Sequence, residues 1–221
     1  MARYDYWFWV LKRLEQCGVI PTVNLRSGTV EKYVNVARAL RDGGINVIEI
    51  LYRAEHGEVP QLLFEAIRAI RTEVDEILVG CGTLQTEADT CAAIAHGAQF
   101  IVSNTGAFEV VKAANIRGVV VIPTAETQTE VIELLPFKPF VIKLFMTNPL
   151  YGDESIERLK QFRGCYPRQE FTVTGVTNPE IARKLLGAGY PFVVTGGMGA
   201  QEAADKNQWN LIKKNAEKYA S

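Results

Sequence analysis

Two textures alternate along the chain. One is short, apolar and rich in β-branched residues: "GVIPTV" at 18–23, "INVIEIL" at 45–51, "EILVG" at 76–80, "QFIVS" at 99–103, "GVVVIP" at 118–123, "PFVIKLF" at 139–145, "EFTVTG" at 170–175 and "PFVVTG" at 191–196. These runs are nearly continuous in Val and Ile, the pattern of parallel strands buried on both faces. The other texture is amphipathic and helical. It occupies 29–44, 59–74, 86–97, 108–118, 127–135, 153–162 and 178–189, with a last helix over "QEAADKNQWNLIKKNAEKYA". Strand followed by helix, eight times, predicts an α/β protein built as a (β/α)8 TIM barrel. The aromatic segment Tyr4–Trp9 precedes the first strand and predicts an N-terminal helix, packed across the barrel bottom or against a neighbouring subunit.

Punctuation supports these boundaries. Helices end at glycine, as in Gly43–Gly44, Gly97, Gly118, Gly187 and Gly189. Asn178–Pro179 opens a helix with a capping side chain and a proline at its first position. No Ser/Gly/Pro-rich linker divides the chain, so residues 1–221 read as one domain. An open doubly wound sheet is the competing architecture. The Gly-rich G-x-G-x-x-G turn of a dinucleotide site does not follow the first strand.

Composition narrows the function. Of 221 residues, 48% are apolar and 22% charged, and the formal net charge is −1. That balance, with scattered basic residues, gives no global attraction for nucleic acid or an anionic membrane. No apolar run is long enough to span a bilayer, and no cleavage site follows the N-terminal aromatics. Cys17, Cys81, Cys91 and Cys165 form no C-x-x-C pair, and His56 and His96 are far apart, so no metal site is expected. Reduced thiols and a cytoplasmic protein are the expectation.

Two charges interrupt the strands. Lys143 lies inside "FVIKLF" and Glu49 inside "INVIEILYR". A charge removed from water needs a partner, a shifted pKa or a function. By strand alternation Glu49, Leu51 and Arg53 share one face, as do Val141, Lys143 and Phe145. Were these faces inward, an amine, a carboxylate and a guanidinium would meet at one barrel end. A desolvated lysine is a nucleophile for a ketone, a carboxylate moves protons, and an arginine grips a substrate carboxylate. Lys143 and Glu49 also fit a structural ion pair bridging two strands, and spacing leaves both readings open. Thr83 after the third strand reads as a turn residue, Arg26 as a surface arginine, and Glu126 as a loop or capping residue. Gly175, Gly196 and Gly197 after the last two strands suit either tight turns or backbone approach to an anion.

Taken together and in order, several segments resemble the 2-keto-3-deoxy-6-phosphogluconate (KDPG) / 4-hydroxy-2-oxoglutarate (KHG) aldolases, a class I aldolase family. They are "GGINVIEILYR", "VGCGTL", "GAQFIVS", "PTAETQTE", "VIKLF" and the glycine turns at 175 and 196–197. The resemblance runs from about Gly18 to Gly197. It implies Lys143 as the Schiff-base lysine and Glu49 as the general acid/base. It implies Arg53 and Thr83 as contacts to the pyruvate moiety, Arg26 as a substrate-contacting arginine, and Gly175, Gly196 and Gly197 as a distal phosphate site. It further implies a keto-acid substrate, a homotrimer, and no metal or other cofactor.

The chain departs from the family pattern mainly at the aldehyde end. It has Thr174–Gly175–Val176 for T-G-G, Met198 for the usual serine, Ser103–Asn104 for S-P, Pro123–Thr124 for P-G, and Met146–Thr147 after "KLF". The expectation is a pyruvate aldolase with a modified phosphate and aldehyde end. The alternatives are a non-catalytic barrel binding a keto acid or sugar acid, and an imine-forming lyase or decarboxylase for another keto acid.

Overall fold

The computed structural model describes residues 3–26, 28–52, 61–145 and 152–220. Its strands are β1 (Val19–Val23), β2 (Val47–Leu51), β3 (Leu78–Leu84), β4 (Phe100–Ser103), β5 (Val120–Ile122), β6 (Thr124–Ala125), β7 (Val141–Leu144), β8 (Glu170–Val176) and β9 (Val193–Thr195). The helices are α1 (Arg3–Cys17), α2 (Val30–Asp42), α3 (Gln61–Glu73), α4 (Glu87–Ala95), α5 (Phe108–Arg117), α6 (Gln128–Leu134), α7 (Gly152–Cys165), α8 (Pro179–Gly187), α9 (Ala200–Lys206) and α10 (Trp209–Ala220). A short 3-10 turn, Leu135–Phe137, follows α6.

All strand pairings are parallel, in the order β5-β4-β3-β2-β1-β9-β8-β7-β6. The two ends of that order, β5 and β6, are halves of one barrel strand separated by Pro123. Proline has no N–H to give to a ladder, so the strand is interrupted there. Its lower half pairs with β4 and its upper half with β7, which closes the eight-stranded barrel. The Lys143 N–H donates to the Pro123 carbonyl at 2.8 Å across this closure.

Alternation divides the strand residues between two cores. Ile48, Ile50, Val79, Cys81, Ile101, Val121, Ile142 and Val173 face the helices and pack with Tyr33, Leu40, Phe64, Ile67 and Leu185. Ile20, Val47, Leu78, Phe100, Val102, Val120, Ile122, Val141, Phe192 and Val194 face inward and form a second cluster with Val10, Leu11 and Leu14 of α1. The N-terminal helix therefore plugs the bottom of the barrel. Tyr6 and Trp7 pack partly buried against this cluster, and Trp7 meets Phe140 edge-on at 5.5 Å. Phe8 and Trp9 on the same helix are exposed.

Local chemistry starts the helices where expected. The Thr29, Thr86, Thr127 and Asn178 side chains each accept an N–H from the first turn of the helix that follows. Around α6 this is a full capping box, in which Glu130 reaches back to the Glu126 and Thr127 N–H groups. One helix boundary differs from the sequence reading. The single last helix is two, α9 and α10, broken at Asn207 with φ 52°. Asparagine tolerates this left-handed conformation, and the Gln208 N–H closes the turn on Ala203 O at 2.8 Å.

Inside the barrel, Gly80 makes room for the Phe100 ring, which a Cβ at position 80 would overlap. Gly80→Ala should therefore destabilise the fold by about 1–3 kcal/mol, the usual penalty of overpacking a filled core. Urea denaturation followed by circular dichroism checks this.

Candidate active site

Val47 and Val141 belong to the inward cluster, so Glu49 and Lys143, two residues further on, also point into the barrel. They form the next layer toward the C-terminal ends of the strands, about 7 Å above the plug layer. Both side chains are buried, Glu49 at 1% exposure and Lys143 at 5%. They come from opposite arcs of the barrel and sense each other's charge. No nitrogen–oxygen contact within 4.0 Å joins them, and Glu49 Oε2 has no hydrogen-bond partner. A contact ion pair bridging two strands is therefore not what is observed.

The strands beside Lys143 offer it no counter-charge. Its register partners are Thr124 and Thr172. Both hydroxyls donate to backbone carbonyls, of Ser103 and Phe192 respectively. Burial thus dominates. It lowers the Lys143 pKa from the ordinary ammonium value, against the opposing pull of Glu49. Burial likewise raises Glu49 to about 7, against the opposing pull of Lys143. Each group is driven toward neutrality: a free amine able to attack a carbonyl, beside an acid able to give and take a proton near pH 7.

Glu49 is seated by β3. Its carboxylate lies on the Cα of Gly82, where a Cβ would overlap Oε1. The next residue, Thr83, has φ 63°. For a β-branched residue this backbone costs of order 1–3 kcal/mol and needs its surroundings to hold it. The Thr83 hydroxyl is buried and has no hydrogen-bond partner. Thr83 thus lies inside β3, at the bulge between Gly82 and Leu84, and not in a turn after the strand as its sequence setting suggests.

The other predicted residues are spread around the mouth. Arg53 lies outside the described residues, as do Met146 and Thr147. A cleft of about 690 Å3 opens over β1, β2 and β9, lined in part by Thr22, Asn24, Leu51, Gly196, Gln201 and Glu202. Leu51, two residues beyond Glu49 on the same strand face, is among the cleft's lining residues. Arg26 is exposed beside this cleft, its N–H donating to the Gln201 side chain at 2.8 Å. The Gly197 N–H donates to Thr195 Oγ1 at 3.0 Å, and a side chain there would meet Thr177 O and the Tyr219 hydroxyl. Gly175, with φ 82°, sits where the β8–β9 register shifts. Met198 is wholly buried between sheet and helices. Glu126 is exposed, its N–H serving the α6 cap.

Sequence reasoning gave no site role to three residues here. Gly82 looks like an ordinary strand glycine. Asn104, at the end of β4, carries a buried side-chain oxygen without a partner. Tyr52 follows β2, and its hydroxyl donates to Asp89 at 2.9 Å. A polar residue directly after a barrel strand is the available signal for Asn104.

Comparison with known proteins resolves the kinship. The family model "KDPG and KHG aldolase" matches residues 10–215. The chain belongs to this family. It is 36% identical over 166 residues to the 2-dehydro-3-deoxy-phosphogluconate aldolase of Treponema pallidum, covering 75% of this chain and 74% of that one. It is 30% identical over 168 residues to the KHG/KDPG aldolase of Escherichia coli, covering 76% and 74%. Among solved structures, a KDPG aldolase from Legionella pneumophila superposes with a TM-score of 0.80 at 25% identity, covering 96% of this chain and 98% of that one. In that structure pyruvate is captured as a covalent carbinolamine.

The buried acid has a measurable signature. Below its ordinary value of 4.5, Glu49 is protonated in both folded and unfolded chains. Between there and about 7 only the folded chain keeps the proton. The stability this group contributes is thus full at low pH and lost as pH rises to about 7. Glu49→Gln should flatten that fall, seen as a reduced difference between unfolding free energies at pH 5 and pH 7.5.

Proposed function

We propose that this chain is a class I aldolase that cleaves a 2-keto-3-deoxy sugar acid or a 4-hydroxy-2-oxo acid to pyruvate and an aldehyde. One observation carries the reading. An amine and a carboxyl occupy the same buried layer of the barrel, each pushed toward its neutral form, without pairing. Kinship with the aldolases and the carbinolamine held by the Legionella relative support the same chemistry.

The proposed steps use these two groups. The unprotonated Lys143 Nζ adds to the C2 ketone, and Glu49 donates the proton that turns the carbonyl oxygen into the carbinolamine hydroxyl. Loss of that hydroxyl as water gives a protonated imine, an electron sink. Removal of the C4 hydroxyl proton by the Glu49 carboxylate then breaks C3–C4, releases the aldehyde and leaves an enamine. Protonation at C3 and hydrolysis free pyruvate and restore the amine. Thr83 and Arg53 are the proposed holders of the keto-acid carboxylate. The unpartnered, buried Thr83 hydroxyl supports its share of that role. None of these steps calls on a metal or other cofactor. Among the described residues no cluster of three His, Cys, Asp or Glu residues has metal-binding arrangement.

Two broader features belong to the proposal. A homotrimer is supported by the family resemblance and by Ile116 and Ile132, exposed at 72% and 58%, whose apolar surface a subunit contact would cover. A cytoplasmic setting accords with four free cysteines. No helix among the described residues is long and apolar enough to cross a membrane.

Borohydride trapping tests the chemistry. Reduction in the presence of pyruvate should add a lactyl mass to the peptide bearing Lys143, and Lys143→Ala should abolish it. Absence of any adduct on the wild type would turn the reading to a keto-acid-binding barrel. Glu49→Gln should lower the aldol cleavage rate by about 10²–10⁴-fold, the usual share of a general acid/base.

A further inference from the structure

The left-handed Thr83 raises the question of what holds it, and the contacts around it converge on Tyr52. This residue ends the run that carries Glu49 and is itself buried. Its N–H donates to Gly82 O at 2.9 Å. Its hydroxyl donates to Asp89 Oδ1 at 2.9 Å. Asp89 is fixed in turn: Oδ2 accepts from Thr86 Oγ1 at 2.7 Å, and its N–H donates to the same oxygen at 3.1 Å. The Tyr52 ring stacks on Phe64 with centroids 5.6 Å apart. One side chain and its own backbone thus tie the Thr83 bulge of β3 from one side at Gly82 and from the other through Asp89 of α4.

We propose that Tyr52 is a positioning residue, a staple that holds the Gly82–Thr83 bulge of β3 so that the Thr83 hydroxyl and the Glu49 carboxylate face the bound keto acid in fixed register. The inference rests on the aldolase reading given above. Relaxation of Thr83 to extended backbone would swing its hydroxyl away. It would also move the Gly82 Cα on which Glu49 lies. Tyr52 acts on substrate only through these neighbours. Burial and the Asp89 acceptor raise the phenol pKa, so the hydroxyl remains a donor across the working range.

The experiment uses the full-length protein and pyruvate. The rate of Lys143 trapping by borohydride is measured against pyruvate concentration, with thermal unfolding in parallel. Tyr52→Phe and Asp89→Ala should each raise the half-saturating pyruvate concentration by about 5- to 20-fold, the range for one lost buried hydrogen bond. Asp89→Asn, which keeps an acceptor oxygen, should stay within about twofold of wild type. In a Thr83→Ala background, Tyr52→Phe should add a smaller effect than it has in the wild type, because one of the two groups it positions is gone.

A lowered melting temperature with unchanged half-saturation in Tyr52→Phe would overturn the staple and leave Tyr52 a packing residue. An undiminished Tyr52→Phe effect in the Thr83→Ala background would also overturn it, as would Asp89→Asn behaving like Asp89→Ala. Should Tyr52→Phe fail to fold, the two Asp89 variants carry the same test. A wild type that forms no adduct overturns the aldolase reading itself, whereas a wild-type adduct with an unmoved Tyr52→Phe overturns the staple alone.

Discussion

Withdrawal of one ammonium and one carboxyl from water is the constraint on which the rest of this structure turns. A barrel closed on itself has no sheet edge, and its lower interior is filled by apolar side chains sealed from below by α1. Glu49 and Lys143 occupy the layer immediately above. Direct contact would restore the charged forms of both by mutual attraction. Held apart and dry, each instead drifts toward its neutral form. The threonines flanking Lys143 preserve this state, because their hydroxyls are engaged with backbone carbonyls.

Keeping the two groups apart demands volume control elsewhere, and β3 supplies it. Gly80 and Gly82 both face inward, each yielding its side-chain volume to a neighbour. Gly80 admits the Phe100 ring into the plug layer, and Gly82 admits the Glu49 carboxylate into the layer above. Strand alternation stacks these two vacancies directly over one another. One residue on, the left-handed Thr83 forms a bulge in the same strand, so the element that seats the acid also carries a buried, unpartnered hydroxyl.

Much of this was legible in the sequence, for definable reasons. Parallel strands covered on both faces leave continuous Val and Ile runs, and charges inside such runs stand out, which is how Glu49 and Lys143 are found. Gly43 and Gly118 mark true helix ends because cap geometry is local. Non-local facts were not legible. "GVVVIP" gives no sign that the strand resumes at Thr124 with a different neighbour, since that depends on barrel closure. The unbroken helical composition after Gln201 hides the left-handed Asn207. Gly82 and Tyr52 carry no charge, and only the fold shows what they lie against. Met198 stands where the family pattern has a serine, and only the fold shows that it packs into the layer between sheet and helices, its carbonyl accepting from the Asn215 side chain of α10.

Pro123 gives the barrel a seam. On one side of it the strand is laced to β4, and on the other only Thr124 and Ala125 pair with β7, through Lys143 and Leu144. Below that short pairing, closure relies on apolar packing of Val120, Ile122 and Val141 against α1. The amide of Lys143 is therefore one of the few stitches across this interrupted line of the sheet. An opening of the barrel along this line would reach Lys143 at once, through its own amide hydrogen bond. Such a local opening would expose the buried amine at a lower free energy than the one that unravels the fold.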